Sequence, residues 1–422
     1  MTRFIPLASL FFATTAFAQP TLLYSDPQRT PLDADDRYRE RVFGASHQLT
    51  SQYLATQPSI LVNNAQNNRD NAELTQAKAA VRLNMYEGEK LMTDFIRNHE
   101  PDPIAMQART EIGAYYFDKG DYANALKFFE SAADNDNLNN ADLADLKFKT
   151  GYAYFARKKY SQAKPYFKEI RNNEKSPNYA QANYYYGLIA FFERNYDEAL
   201  SSFRISEKSK LYAATVPFSI CQLLFVQKKY DDLIKYATPL ASDTKLKNLT
   251  EIQQLIGQAY FEKGDFKAAL PYLEKYVTTT SKLTEKDFYQ VGYTQYRTGA
   301  YKEATQNFEQ LHTQKNELGQ NALYHLGDCY LKTNNLVNAR NAFKECSAMS
   351  YNPTIQQTAL FNYAKLSYLL GNDQQTLNTL KTVPENSPYF AEAQDLMADV
   401  LDKMSDYQSA INFIGKLPNP TA

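Results

Sequence analysis

The sequence predicts an all-α chain of antiparallel helix pairs, and three observations carry that prediction. A unit of 34 to 38 residues recurs along most of the chain, its glycines sit at two fixed phases, and the composition is glycine-poor and tyrosine-rich. Of 422 residues only 14 are Gly and none is Trp, beside 33 Tyr and 25 Phe. Glycine at about half its usual ~7 % suits few tight loops and much helix. Lys and Arg number 46 against 47 Asp and Glu, a net charge of −1. That balance lacks the basic excess of a nucleic-acid binder. Mean hydropathy is −0.56, and beyond the first twenty residues no apolar run reaches the ~18 residues that a spanning helix needs. A hydrophobic share of 44 % with mixed-sign charge argues against disorder.

Taken in order, residues 1–18 read as a signal peptide. Arg3 supplies a positive start, Phe4 to Thr15 an apolar stretch, and Ala16, Phe17 and Ala18 the small-x-small pattern before Gln19. No Cys follows that site, so the lipobox of a lipoprotein is missing. The expectation is an exported protein, periplasmic in a Gram-negative cell and possible to find at the periphery of the outer membrane. Residues 19–105 form an N-terminal region of degenerate helices. Asp36–Ala55 carries one amphipathic pattern around Phe43 and Leu49, and Asn63–Asn71 reads as a linker. Ala72–Leu83 and Glu87–Asn98 read as a degenerate helix pair ahead of Pro101 and Pro103. Repeat arrays need atypical end units, so this region suits a cap.

Residues 106–422 carry about nine units. Gly113 leads to Tyr122, Ala125 and Phe129; Gly151 to Tyr160, Ala163 and Phe167; Gly187 to Tyr196, Ala199 and Phe203. Gly257, Gly292 and Gly327 open equivalent copies, and weaker ones start at Cys221, Ala364 and Ala398. The first set of glycines marks where two helices cross too closely for a side chain. Gly120, Gly264, Gly299 and Gly371 lie seven residues after such a start, in the turn, where Gly accepts positive φ without strain.

This pattern resembles the tetratricopeptide repeat (TPR), a helix–turn–helix with small residues at its eighth, twentieth and twenty-seventh positions. The chain looks like the exported envelope type of Gram-negative bacteria. The resemblance implies a right-handed superhelical solenoid whose concave face, lined by first helices, binds a partner. Carried over position by position, that groove comprises Tyr152 and Phe155, then Tyr184, Phe191 and Phe192, then Phe218 and Phe225, Phe261, the trio Tyr289, Tyr293 and Tyr296, and Tyr324. Several of these positions can instead be aromatic to pack one helix on the next.

No chemistry-bearing motif accompanies the repeats. His47, His99, His312 and His325 are spread over separate units without ligand spacing and read as surface residues, and no metalloprotease, nucleophile-elbow or phosphate-loop pattern occurs. Cys221, Cys329 and Cys346 occupy small-residue positions of the unit, so core filling is expected, with a Cys329–Cys346 disulfide as the alternative. Pro165 and Pro271 share one position in two repeats, where a local kink is expected. The end at Ile411, Phe413, Ile414 and Leu417 lacks a polar closing helix, so the expectation is either that this end pairs with something or, the favoured reading, that the array continues. The function expected is a non-catalytic protein–protein interaction scaffold in the periplasm, with no cofactor and no metal, binding a helix or extended peptide of a cell-envelope protein. The alternatives are an accessory factor of outer-membrane assembly or envelope biogenesis, and a glycan-binding protein on a TPR core, the latter disfavoured by the lack of Trp.

Overall fold

The computed structural model describes residues 29–56, 64–132, 140–405 and 407–414. The export signal read at residues 1–18 and the apolar closing residues beyond Ile414 lie outside them. The chain is an all-α solenoid with no strand among the described residues. It divides into two compact units, residues 1–189 and 190–422.

The first unit holds α1 (Thr30–Arg39), α2 (Phe43–Thr56), α3 (Asn64–Arg82), α4 (Gly88–His99), α5 (Pro103–Asp118), α6 (Tyr122–Ala132), α7 (Asn140–Ala156), α8 (Tyr160–Ile170) and most of α9 (Tyr179–Phe192). The second holds α10 (Tyr196–Ser206), α11 (Val216–Val226), α12 (Tyr230–Ala237), α13 (Leu249–Glu262), α14 (Phe266–Thr279), α15 (Glu285–Thr298), α16 (Tyr301–Glu309) and α17 (Glu317–Lys332). It continues with α18 (Leu336–Ser347), α19 (Pro353–Leu369), α20 (Asp373–Leu380), α21 (Phe390–Lys403) and α22 (Tyr407–Ile414). Odd-numbered helices open each hairpin and even-numbered ones close it.

Five hairpins are each pinned by one crossing, at Gly113, Gly151, Gly257, Gly292 and Gly327. A Cβ added at Gly113 would lie 2.5 Å from the Phe129 ring, and at Gly327 it would lie 2.8 Å from the Phe343 ring. The pairs Gly292 with Phe308, Gly151 with Phe167 and Gly257 with Leu273 repeat the arrangement at 2.9–3.1 Å. The ring partners Phe129, Phe167, Phe308 and Phe343 are buried to 1 % exposure or less. A buried Phe of this kind typically supports ~3–5 kcal/mol of stability against truncation to Ala.

The turn is equally regular. Gly120, Gly264, Gly299 and Gly371 adopt φ of +75° to +86°, the left-handed conformation that closes a helix. Lys158, Arg194, Lys228, Asn334 and Ser405 take the same conformation at the same place in the other repeats. The next amide then bonds back across the turn, as Asp121 N–H does to the Tyr116 carbonyl at 2.9 Å and Asn335 N–H to that of Tyr330 at 2.8 Å. These bonds satisfy carbonyls left open at the helix end. Arg41 and Asn84 share the signature, which extends the hairpin run into the N-terminal region.

Two expectations there change. The amphipathic stretch Asp36–Ala55 spans two helices: α1 ends at Arg39, Arg41 turns at φ +63°, and α2 starts at Phe43. The fold-back lets the Ser46 hydroxyl donate to the Ala34 carbonyl at 2.8 Å, with both residues fully buried. The polar stretch read as a linker is helical from Asn64, forming the first turns of α3. Gln66 donates to Asp70 at 2.7 Å and Arg69 to Glu73 at 2.9 Å, side-chain pairs four apart that support a helix without apolar residues.

Cys221, Cys329 and Cys346 are buried free thiols. Burial pushes each thiol up to about 12, so none is an activated nucleophile. Helices α8 and α14 run on through Pro165 and Pro271, whose rings are exposed. Among the described residues no helix is long and apolar enough to cross a membrane.

Gly327→Ala should therefore lower stability by about 1–3 kcal/mol, because the crossing cannot accept a methyl against a packed ring. Gly264→Asn should change it by less than about 1 kcal/mol, since Asn334 already holds that conformation in another repeat. Urea unfolding followed by circular dichroism of the two variants checks the contrast.

Candidate functional site

In the first unit α1 packs on α3, α3 on α5 and α5 on α7; in the second, α11, α13, α15, α17, α19 and α21 touch in succession. The first helices of successive hairpins therefore form one layer within each unit, and their side chains set the character of that surface.

The twelfth-position aromatics among the sequence-predicted groove residues have a packing partner in their own hairpin. Phe155 faces Tyr160 at 5.4 Å, Phe191 faces Tyr196 at 6.0 Å, Phe225 faces Tyr230 at 5.6 Å, Phe261 faces Phe266 at 5.6 Å and Tyr296 faces Tyr301 at 5.9 Å. Phe117 with Tyr122 repeats the pair at 5.5 Å. Each joins the end of a first helix to the first residue of the second, so the ring locks the turn. Aromatic pairs at this spacing contribute about 0.5–1.5 kcal/mol beyond area burial.

The remaining predicted residues pack within or between repeats, or face outward. In the first unit Tyr152 lies edge-on to Phe117, Tyr122 and Tyr185, at 5.5, 5.7 and 5.1 Å. Tyr184 lies edge-on to Tyr185 at 5.2 Å. In the second unit Tyr289 stacks on Tyr293 at 5.9 Å, and Tyr293 meets Phe261 and Phe266 of the preceding hairpin. Burial pushes the Tyr289 phenol up to about 12. Tyr324 lies edge-on to Phe343 at 5.9 Å, and Phe218 is half-buried. Phe192 alone of the predicted set is exposed, at 52 %.

Two hubs of this surface escaped the sequence reading. Tyr185 contacts Phe148, Tyr152, Phe155 and Phe167. His325, read as a surface residue, is instead enclosed by Tyr293 and Tyr296, both at 5.0 Å, with Tyr324 at 5.5 Å and Phe308 at 5.7 Å. Its Nδ1 is buried without a hydrogen-bond partner. Desolvation by burial lowers the imidazole to about 4, with Asp328 opposing and Arg297 adding to the shift. Both residues sit two places before the crossing Gly, a phase at which the repeat has no fixed residue type, so only three-dimensional packing exposes the role.

A polar hollow of about 890 Å³ opens on α1, α3 and α5 of the first unit. Lys78 stands between Asp35 at 3.9 Å and Glu111 at 3.8 Å, with its ammonium 4.4 Å above the Tyr38 ring. Arg82 pairs with Asp118 at 2.6 Å, and the Tyr38 hydroxyl donates to Glu111 at 3.0 Å. Burial first, then the Glu111 charge, raises the Tyr38 phenol above its ordinary range. These residues come from three helices of a region whose repeat pattern is weak in sequence, so no spacing rule groups them.

Comparison with known families completes the picture. A profile described as tetratricopeptide repeat matches residues 74–140 and 148–210, and one described as tetratricopeptide repeat protein 21 ARM repeat matches residues 253–413. The chain is a tetratricopeptide-repeat protein. Among solved structures this TPR chain is similar to the crystal structure of the APC/C hetero-tetramer Cut9-Hcn1, at 12 % identity and a TM-score of 0.29, covering 93 % of this chain and 86 % of that one. It is also similar to the crystal structure of PilW, a widely conserved type IV pilus biogenesis factor, at 17 % identity and a TM-score of 0.36, covering 53 % of this chain and 100 % of that one. No curated protein matches the TPR chain.

The enclosed His325 makes a pH prediction. Its folded value near 4 lies below the ordinary 6.5, so the unfolded chain takes up the proton first. Stability should fall as pH drops from 6.5 towards 4, by at most about 3 kcal/mol from this group. In His325→Phe that part of the loss should vanish, which urea midpoints at pH 7.5 and pH 5 would show as a smaller drop than in the wild type.

Proposed function

We propose that this TPR protein is a non-catalytic scaffold of the cell envelope that holds a helix or extended peptide of a protein partner against its first-helix layer. The observation that carries the reading is where accessible polar and aromatic side chains gather. In the first unit the hollow around Lys78, Arg82 and Tyr38 opens on α1, α3 and α5. In the second, Phe192 ends α9 exposed at 52 %, and the half-buried tyrosines of α15 line the same class of helix. Tyr and Phe supply large contact area at low entropic cost, and an amphipathic helix or strand is the ligand that such a face accepts. Export rests on the pattern of residues 1–18, and the repeat profiles over residues 74–140, 148–210 and 253–413 support binding through a scaffold.

The groove residues Tyr152, Phe155, Tyr184, Phe191, Phe192, Phe218, Phe225, Phe261, Tyr289, Tyr293, Tyr296 and Tyr324 divide by this reading. The turn-locking twelfth-position rings shape the surface, whereas Phe192 reaches the partner directly. A photo-crosslinking residue at Phe192 should join the chain to one discrete envelope protein, while the same probe at Gln162, exposed on the second helix α8, should not. Equal capture from both sites, or from neither, would remove the first-helix layer as the binding face. Phe192→Ser should leave the melting temperature within about a degree, as surface changes do, and should lose the partner in the same assay.

A further inference from the structure

We infer that Asp70, Glu73 and His99 form a binding site for a divalent transition ion of the zinc type. Asp70 and Glu73 are three residues apart on α3 and share a face. Helix α4 returns antiparallel to α3 and brings its last residue, His99, beside them. One ligand atom from each of the three lies within 4.8 Å of the other two. The His99 Nε2 to Asp70 Oδ1 separation is 3.4 Å, close to the roughly 3.4 Å between neighbouring ligands around a tetrahedral zinc with bonds near 2.1 Å.

The tautomer is the decisive point. His99 Nδ1 lies 2.9 Å from the Phe95 carbonyl oxygen, which can only accept, so Nδ1 carries the proton. Nε2 is the nitrogen left to face the carboxylates, 3.4 Å from Asp70 Oδ1, so an ion placed between them would be held by both. A ligating imidazole that donates its other N–H to a backbone carbonyl is the usual outer-shell arrangement of metal-bound histidine. The ring is also fixed by stacking on Phe95, centroids 4.0 Å apart at 22°.

The carboxylates are oriented in the same way. Gln66 donates to Asp70 Oδ1 at 2.7 Å and Arg69 Nε donates to Glu73 Oε1 at 2.9 Å. A carboxylate oxygen has more than one lone pair, so Asp70 Oδ1 can accept from Gln66 and still face an ion. All three side chains keep partial access to solvent, at 16 % for His99, 18 % for Asp70 and 34 % for Glu73, so an ion can enter. The imidazole favours zinc-type ions over magnesium and calcium. A bound ion would clip the open end of the α3–α4 hairpin, and because the unfolded chain has no such site, binding would appear as stability.

The rival occupant of Nε2 is a second proton, which would leave a plain ion pair with Asp70. Titration of ZnCl2 into the untagged full chain at pH 7.5, by calorimetry and by thermal melting, separates the two. The metal site predicts one ion per chain, a higher melting temperature with Zn²⁺ and none with Mg²⁺. His99→Gln and Asp70→Asn should each weaken Zn²⁺ binding about tenfold or more, with helical content unchanged by circular dichroism. Visible d–d bands on addition of Co²⁺, lost in both variants, would identify the ligands even if one variant were less stable. No heat and no melting shift with the wild type, or undiminished Zn²⁺ binding by both variants, would overturn the assignment.

Discussion

Two helices can run side by side at close range only where one of them presents no side chain, and in this protein that place is the glycine set against Phe129, Phe167, Leu273, Phe308 or Phe343. The contact sets how near the first and second helices lie, and so which residues can occupy the crossing. Once Phe129, Phe167, Phe308 and Phe343 fill it, the turn must close in few residues, which calls for the left-handed residue seven places after the glycine. The twelfth-position ring then closes the end of the hairpin across that turn. Fold, turn and ring pair are thus consequences of one steric requirement, repeated.

That requirement also explains why so much of the fold was legible in one sequence. Glycines at Gly113, Gly151, Gly292 and Gly327 report on backbone geometry, and no partner residue needs to be known to read them. Where buried Ala34 and Ala77 stand seven places before the turn residues Arg41 and Asn84, no glycine at that phase marks the hairpin. Residues 36–55 therefore read as one continuous amphipathic pattern, with the turn at Arg41 unmarked. The Asn-rich start of α3 was missed for a related reason: its support comes from the Gln66–Asp70 and Arg69–Glu73 pairs, while its polar composition reads as a loop.

The functional surface was legible only in part. Family positions locate the first-helix layer, yet they do not distinguish Phe261, which locks its own turn, from Phe192, which faces solvent. His325 and Tyr185 became hubs through neighbours from adjacent repeats, and Asp70, Glu73 and His99 meet because a hairpin folds back on itself. Each grouping depends on residues 17 to 37 apart in sequence, beyond any local motif. The stack thus supplies a rigid frame from short-range rules, and its specific surfaces arise where repeats depart from the shared pattern.

The central claim is that glycine and ring at the crossing act as one unit. A double-mutant cycle on Gly327 and Phe343 tests it most directly, with unfolding free energies measured for Gly327→Ala, Phe343→Ala and the pair. The account predicts that the methyl at 327 is costly beside the Phe343 ring and nearly neutral once the ring is gone, a coupling of about 1 kcal/mol or more. Additive effects within about 0.5 kcal/mol would show that the two positions do not depend on each other and would contradict the account.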